Sequence, residues 1–149
     1  MSRPAPLIAT VPQQRFAMAL LRIITGIVFT AHGAQKVFVY GFAGVTAGFA
    51  KMGVPMPAVT APFIGMLELI AGIALIIGLL TRLAALGLAC DMLGAILLVH
   101  GAAGFFLPTG YEFVLMLLTA SATLVIGGPG ALSVDGILAS RRDATYLAR

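Results

Sequence analysis

Charged residues are scarce in this sequence: only 9% of its 149 residues are Asp, Glu, Lys or Arg. Apolar residues account for 60% of the chain, and the mean hydropathy is +1.09. So small a share of polar residues cannot cover the surface of a water-soluble globule. The composition therefore excludes an ordinary soluble enzyme and indicates a membrane protein.

Several motifs of redox and metal chemistry are also missing. The chain has one cysteine, Cys90, so an intrachain disulfide and a cysteine-ligated iron–sulfur cluster are both excluded. The sequence has no Rossmann glycine pattern, no haem-attachment motif and no close cluster of potential metal ligands. If the protein takes part in electron transfer, its electron carrier must come from elsewhere. Cys90 itself is expected to be a small packing residue.

Four apolar segments have lengths that suit a bilayer, whose hydrocarbon core of ~30 Å needs about 20 helical residues. The turn between the second and third segments is only Thr81-Arg82, which forces an antiparallel hairpin. The glycine- and proline-rich sequence after Ile126 cannot continue the last helix. We therefore predict an all-α, integral membrane four-helix bundle in residues 16–127. Its predicted spans are residues 16–32, 62–80, 83–100 and 112–126.

Basic residues are distributed unequally between the two sides of such a bundle. With four spans, the amino end, the Thr81-Arg82 turn and the carboxyl tail share one side, and the other side has only Lys36 and Lys51. Because basic loops stay cytoplasmic, we predict a cytoplasmic segment 1–15 and a cytoplasmic tail 128–149 in a bacterial inner membrane. Arg22 is expected to extend its side chain to the headgroups. The basic side carries Arg3, Arg15, Arg22, Arg82, Arg141, Arg142 and Arg149.

The net charge of +4 is explained by this topology and by contact with anionic lipid. The basic residues form no patch interleaved with aromatic residues, so nucleic acid is not an expected partner. An alternative interpretation of the first span is a signal peptide with a cleavage site near Ala31-His32-Gly33. We expect the span to be retained, because its removal would destroy the charge balance of the remaining spans.

The segments outside the spans contain two shorter helical patterns. Residues 33–61 form a long outer loop, in which apolar residues recur at helical spacing from Phe42 to Phe49 before the stop signal at Gly53. This pattern predicts a short helix at the membrane interface. In the tail, Ser133 can cap a second short helix, and Asp135 falls in its first turn.

Each predicted span has one face of polar or small residues. A charged side chain in hydrocarbon costs several kcal/mol unless it faces protein or water. We therefore predict that these four faces pack against one another inside the bundle, where small residues allow close approach. The faces consist of Thr25, His32 and Lys36 in the first span, Gly65, Glu68 and Gly72 in the second, Ala84, Gly87, Asp91, Gly94 and Ala95 in the third, and Glu112, Met116, Thr119 and Thr123 in the fourth.

Most of the ionisable side chains lie in the outer half of the predicted bundle, which suggests a polar pocket that opens outward. One geometric conflict arises inside the third span. Asp91 and His100 are nine residues apart, so they should project from opposite sides of a regular helix and not line one narrow pocket. His100 could instead lie at a frayed helix end, where Gly101 permits a change of direction. The candidate pocket residues are His32, Lys36, Glu68, Asp91, His100 and Glu112.

The order and spacing of several short motifs resemble the DoxX family of four-span bacterial membrane proteins. The resemblance covers roughly residues 16–136, and the six candidate pocket residues match recurring polar positions of the family. The motifs are His32-Gly33-x-x-Lys36, Gly53-Val54-Pro55-x-Pro57, Glu68 with Gly72, Leu80-Thr81-Arg82, Asp91-Met92, His100, Gly110-Tyr111-Glu112 and Gly128-Pro129-Gly130-x-x-Ser133-x-Asp135.

The resemblance implies an association with redox chemistry, because family members are linked to quinone-dependent sulfur oxidation in some archaea and to oxidative-stress complexes in some bacteria. It implies no catalytic residue by itself. Our first hypothesis is a membrane subunit of an oxidoreductase system rather than a complete enzyme. In it, Glu68 or Asp91 exchanges protons with a quinone, and His32 or Lys36 binds a ring oxygen.

Other interpretations of the same residues stay open at this point. Glu68 and Asp91 could be structural partners of Lys36, Arg22 or the backbone. A haem held by His32 and His100 is a weaker alternative to quinone, because interfacial histidines are commoner than ligands.

Two further hypotheses concern the function of the whole bundle. One is the transport of a small solute or proton along the intramembrane acids, for which a homo-oligomer would supply the missing lumen. The other is a non-catalytic scaffold or assembly factor. A scaffold, like a redox subunit, would recruit a soluble partner at the cytoplasmic face, and there Arg141 and Arg142 would matter more than the buried acids.

Overall fold

The computed structural model describes residues 9–147, with side chains as far as Arg141. Over this range every regular element is helical. The α-helices are α1 (Val11–Ala34), α2 (Gly41–Lys51), α3 (Pro57–Ile77), α4 (Thr81–Ala95), α5 (Glu112–Gly127) and α6 (Val134–Leu147). A π-helical turn, Gln35–Val39, extends α1, and a second one, Ile96–His100, extends α4 and leads into the 3₁₀ turn Gly101–Ala103.

Within residues 9–147, three continuous helical stretches are long and apolar enough to cross a membrane: Val11–Val39, Pro57–Ile77 and Thr81–Ala103. At ~1.5 Å per residue, the apolar helix α5 is about 24 Å long and so falls short of a ~30 Å hydrocarbon core. The structure confirms the prediction of an all-α membrane bundle. The crossing by α5, and with it the count of four spans, stays a prediction.

Large apolar side chains cover the outside of the bundle. Phe63, Leu97 and Ile126 are 62%, 72% and 80% exposed, respectively, and they lie on three different helices. In water so many exposed apolar groups would drive association, whereas in a bilayer they face a solvent as apolar as themselves. The buried side chains that are largest, apart from Arg22, are Phe29, Leu75, Leu88 and Leu124, contributed by α1, α3, α4 and α5.

Glycines bring the backbones of α1 and α3 into direct contact. A Cβ atom added to Gly33 would lie 2.3 Å from the backbone nitrogen of Leu69, and one added to Gly72 would lie 2.6 Å from that of Thr30. Small residues permit this close packing, which supplies contact energy where the hydrophobic effect between helices is absent. The predicted inward face of the second span, with Gly65, Glu68 and Gly72, is confirmed, because all three are buried.

The predicted inward face of the third span is displaced by one position, although its Asp91 does point inward, and the predicted face of the fourth span is wrong. The buried face of α4 consists of Thr81, Ala85, Leu88 and Met92, one position along the helix from the predicted stripe of small residues. In α5 the buried residues are Val114, Ser121 and Leu124. The predicted face of α5 is on the outside: Met116 is 68% exposed, and the exposed hydroxyls of Thr119 and Thr123 donate to carbonyls one turn earlier. Local bonding satisfies those hydroxyls, so the polarity of α5 did not predict burial.

The two short helical patterns are confirmed. Helix α2 occupies Gly41–Lys51 in the long loop and buries Val45 against the bundle. Helix α6 begins at Val134, and the hydroxyl of Ser133 accepts a hydrogen bond from Gly136 N at 3.1 Å, as an N-cap residue does. Asp135 has an additional role, because its carboxylate accepts hydrogen bonds from Leu80 N (2.8 Å) and Thr81 N (2.9 Å) and so caps α4.

Arg22 does not extend to the headgroups as predicted; its side chain is completely buried. The guanidinium donates to the carbonyls of Leu75 and Ile76 at the end of α3 and to three carbonyls between α5 and α6. We call this end of the bundle, with Arg22 and Asp135, the inner end, and the opposite end, with Lys36 and His100, the outer end; both names follow the predicted topology. Five donors on a planar fork explain why arginine suits this position.

Candidate functional site

An ion pair between Lys36 and Glu68 is the central feature of the outer end. Lys36 lies in the π-helical turn that extends α1, and Glu68 lies on the buried face of α3. The Glu68 side chain is 5% exposed and that of Lys36 is 20% exposed. The close packing at Gly33 sets the two helices in register, and a Cβ atom on Gly65 would be 3.4 Å from Cβ of Lys36. Glycines on both helices thus leave room for the lysine to reach its partner.

Asp91 adds a second carboxylate to this pair. It lies on α4, close enough for electrostatic interaction with both Glu68 and Lys36. Its Oδ2 atom is buried and has no hydrogen-bond partner among the described residues. A buried polar atom without a partner is costly, so this oxygen beside a cavity is a candidate for a functional group.

A cavity of about 330 Å³ lies beside these three residues, and we call it the outer cavity. His32 and His100 contribute to its wall together with the ion pair and Asp91, so the structure brings five of the six predicted pocket residues together. The His32 ring lies 6.2 Å from that of Phe113, and His100 Nδ1 is 3.0 Å from the carbonyl oxygen of Thr109. Apolar lining residues include Phe29, Ile64, Met92, Val99, Val114 and Leu117.

The expectation that Asp91 and His100 cannot line one pocket is wrong. The π-helical turn Ile96–His100 lies between them, and in such a turn Gly101 N bonds to Ile96 O, five residues back. Each residue of a π turn rotates less than the ~100° of an α-helical residue, so His100 is brought round toward the side of Asp91. A wide turn of this kind is common at functional sites.

Glu112 is the one predicted pocket residue that does not line the outer cavity. Its Oε1 atom accepts a hydrogen bond from Leu107 N at 2.8 Å and so fixes the loop before α5. That loop also includes Thr109, the partner of His100, and Pro108, a lining residue. Glu112 therefore contributes to the shape of the cavity through the loop and not through direct contact.

Aromatic and sulfur-containing lining residues were missed by the sequence analysis. In the sequence, Phe29, Phe113 and Met92 do not differ from other apolar residues of the spans. Nothing in their spacing predicts that they line a cavity. Phe49 on α2 and Met52 just after it line the cavity, so this interfacial helix also covers the bundle from outside. The apolar face of α2 indicated that this helix packs against another part of the protein or against lipid. The sequence did not show which part of the protein that is.

The arrangement has a definite chemical capability. A cation, two carboxylates and two imidazoles border a cavity whose remaining wall is apolar, the usual composition of a small-molecule site. The lysine ammonium has three donors and the carboxylates accept or release protons, so the site can bind a carbonyl-bearing ring and exchange protons with it. No group of three or more His, Cys, Asp or Glu residues within residues 9–147 is placed to hold a metal ion.

Comparison with known proteins identifies relatives along most of the chain. A family model described as DoxX matches residues 17–101. The uncharacterized membrane protein Rv3486 of Mycobacterium tuberculosis (strain ATCC 25618 / H37Rv) is 33% identical over 135 residues, which cover 83% of this chain and 82% of that protein.

Two other relatives come from different bacteria. A protein of Bacillus subtilis (strain 168) that carries the name "Putative oxidoreductase CatD" is 36% identical over 116 residues, covering 78% of this chain and 82% of that protein. An uncharacterized protein of Haemophilus influenzae (strain ATCC 51907 / DSM 11121 / KW20 / Rd) is 32% identical over 124 residues, covering 80% of this chain and 89% of that protein. No solved structure gives a significant match.

Proposed function

The chain belongs to the DoxX family of membrane proteins, and from this premise we propose that it is the quinone-binding membrane subunit of a redox system. The quinone ring occupies the outer cavity. Lys36 or His32 donates a hydrogen bond to one ring oxygen, and Asp91 exchanges a proton at the other. The chain itself supplies binding and protons, so it is part of an oxidoreductase and not a complete enzyme.

The buried, unpartnered Oδ2 atom of Asp91 is the observation that carries this proposal. Glu68 is held by Lys36, whereas Asp91 has one oxygen left, which can accept a hydrogen bond from a quinol hydroxyl or, when protonated, donate one to a quinone carbonyl. A quinone fits the surroundings because its ring is apolar on both faces and its two oxygens need donors. The relative named as an oxidoreductase supports the same chemistry class.

Reduction of a quinone requires two electrons and two protons, and the electrons must come from a partner. Within residues 9–147 no group of three or more His, Cys, Asp or Glu residues is placed to ligate a metal ion. The outer cavity lies at the end of the bundle opposite Asp135 and the α3–α4 turn. We therefore place the electron-donating partner near the outer end. A soluble partner at the arginine-rich face would lie at the opposite end of the bundle from the cavity.

The test is quinone binding by the purified protein in mild detergent. We expect a quinone in the organic extract of the wild-type protein, detected by mass spectrometry, and a loss of about tenfold or more in Asp91→Asn. Glu112→Gln is the matched control, because Glu112 is an outer-end carboxylate that does not line the cavity. Quinone binding that is the same in all three proteins contradicts the assignment of the site.

A ligand-free wild-type protein that brings down a soluble protein instead would favour the scaffold hypothesis. That partner should then be lost on substitution of Arg141 and Arg142 and kept in Asp91→Asn. Rapid proton or solute flux through liposomes containing the protein, abolished by the Asp91 substitution, would favour transport.

The proposed topology has four spans in a bacterial inner membrane with both termini in the cytoplasm. Arg15 and Arg82 lie at one end of the bundle and Lys36 and Lys51 lie toward the other, and under the positive-inside rule this distribution supports a cytoplasmic location for the arginine end. A reporter that fluoresces only in the cytoplasm, fused after Arg149, should be bright. A dark fusion whose phosphatase counterpart is active outside the membrane would reverse this assignment.

A further inference from the structure

A second cavity opens on the side of the bundle between α2, α3 and α4. Its volume is about 370 Å³, and we call it the lateral cavity. It lies among residues whose outer atoms face lipid, such as Phe63 (62% exposed) and Leu98 (53% exposed). The lining residues are Phe49, Val54, Thr60, Phe63, Ile64, Leu67, Gly87, Cys90, Asp91, Gly94, Ala95, Leu98 and Val99.

The lateral cavity and the outer cavity are neighbours with a common wall. Phe49, Ile64, Asp91, Ala95 and Val99 line both of them. Asp91 is the one ionisable residue in this shared wall. A molecule with a polar head and an apolar tail could therefore place its head beside Lys36 and Glu68 and its tail toward the lipid, with Asp91 between the two parts.

The lateral cavity exists because the small-residue face of α4 has no helix packed closely against it. A Cβ atom added to Gly94 would have no neighbour within 4 Å, and one added to Gly87 would meet only a methyl group of Leu67, at 3.2 Å. By contrast, Gly33 of α1 and Gly72 of α3 are in contact with the backbone of the other helix. Small residues on α4 thus leave a space and do not create a helix contact.

We infer that the lateral cavity is the entry route and tail site for a lipid-soluble quinone, whose alkyl chain lies between α3 and α4 while its ring reaches Asp91 from the bilayer. The inference rests on the proposed function and deepens it, because it assigns the substrate to the long-chain class. The apolar wall suits an alkyl chain, which gains free energy with each methylene group that it buries.

The same geometry gives the two carboxylates, Glu68 and Asp91, different roles. Glu68 faces Lys36 across the α1–α3 contact and lines only the outer cavity, whereas Asp91 lines both cavities. Asp91 is therefore the acid that meets the ring as it passes from the lateral cavity into the outer one, and Glu68 positions the lysine.

The test compares two quinones in the full-length protein: a decyl-substituted benzoquinone and the same ring with a methyl group in place of the decyl chain. Gly94→Leu fills the lateral cavity without a backbone clash. It should weaken binding of the decyl compound by about tenfold or more and that of the methyl compound by less than about twofold. Gly48→Leu is the matched control, because Gly48 is also helical with nothing within 4 Å of an added Cβ and lines neither cavity.

A measurement on the unmodified protein gives an independent result. Cys90 is the only cysteine of the sequence and lines the lateral cavity. The decyl compound at saturation should slow its reaction with a membrane-permeant maleimide, whereas the methyl compound should not. Equal labelling rates in the presence of both compounds would overturn the inference.

The other outcomes separate this inference from the proposed function. If Gly94→Leu binds both compounds as the wild type does while Asp91→Asn loses both, the lateral route is wrong and the outer site stands. Equal weakening of both compounds by Gly94→Leu also overturns the lateral route. If the wild-type protein binds neither compound, the proposed function fails and this inference fails with it.

Discussion

Both ends of the bundle bury charged side chains, but they differ in how completely those side chains are hydrogen-bonded. At the inner end, the guanidinium of Arg22 donates hydrogen bonds to five backbone carbonyls, including those of Pro129 at 3.0 Å and Leu132 at 2.9 Å. At the outer end, Lys36 and Glu68 form a pair while Asp91 keeps a buried oxygen without a partner. Burial of charge is common to both ends, and incomplete bonding next to a cavity distinguishes the outer one.

This difference separates structural from functional use of polar groups in a membrane. A charged group that is fully hydrogen-bonded to backbone ties helices and loops together and has no capacity left for a ligand. A group with spare capacity beside a cavity can bind or exchange a proton, at a cost in stability. The substitutions below are ordered from the largest expected loss of stability to the smallest, and each is checked by thermal unfolding in detergent.

Arg22→Ala should be the most damaging substitution, because it removes the donor of five carbonyls, one in a buried and four in partly buried hydrogen bonds. We expect a loss of at least about 3 kcal/mol in the free energy of unfolding. Circular dichroism during heating measures the loss. Arg22→Lys, which keeps the charge but has three donors, should lose less. A thermal midpoint equal to that of the wild type would refute a structural role for the inner end.

Glu68→Gln should have the next largest effect, since it removes the carboxylate that pairs with the partly buried Lys36 ammonium and leaves only the nearby Asp91 as a counter-charge. A hydrogen bond to a charged group contributes about 1.5–3 kcal/mol, and we expect a loss in that range. The double variant Lys36→Met with Glu68→Gln is the control, and it should recover part of the loss because the partly buried ammonium is removed together with its ion-pair partner. Additive losses in the double variant would mean that the pair does not interact.

Asp135→Ala removes the cap of α4 and should cost about 1–2 kcal/mol, because two backbone donors, Leu80 N and Thr81 N, lose their acceptor. Asp135→Asn keeps one acceptor oxygen and should cost less. Since the outer end is untouched, quinone binding by the folded protein should not change. A change in binding would show that the two ends are coupled.

Asp91→Asn should have the smallest effect on stability, within about 0.5 kcal/mol of the wild type or slightly stabilising, because the replaced oxygen had no partner. The same substitution should have the largest effect on ligand binding. A fall in the thermal midpoint as large as that of Glu68→Gln would place Asp91 with the structural residues, and the contrast between the ends would then fail.

The buried face of α3 could be predicted from the sequence, whereas that of α4 could not. On α3 the acid and its glycines share one face, and a charged residue in an apolar helix must turn inward. On α4 the small residues and Asp91 also share one face, but the large side chains Leu88 and Met92 fill the core beside it. The volume of its side chains decided which face of α4 packs into the core. Whether a side chain of given volume fits there depends on the neighbouring helices.

Two features of the candidate site escaped prediction for local geometric reasons. The π-helical turn Ile96–His100 changes the direction of His100, and no residue pattern in the apolar sequence Ile96-Leu97-Leu98-Val99 marks an extra residue in the turn. The loop before α5 brings Thr109 to His100, and the hydrogen bond between them spans nine residues. Both features depend on backbone path and not on composition.

By itself, the sequence determined the environment, the helical class and the chemistry available to this protein. Scarce charge and long apolar runs require lipid as solvent, and in lipid the backbone must bond to itself within helices. The tertiary structure decided which polar groups meet. Arg22 reaches carbonyls more than fifty residues away, and Asp91 lies beside Glu68 and Lys36 with one oxygen unpaired. Such contacts arise from the fit of whole helices, so only the packed bundle distinguishes a bonded charge from an available one.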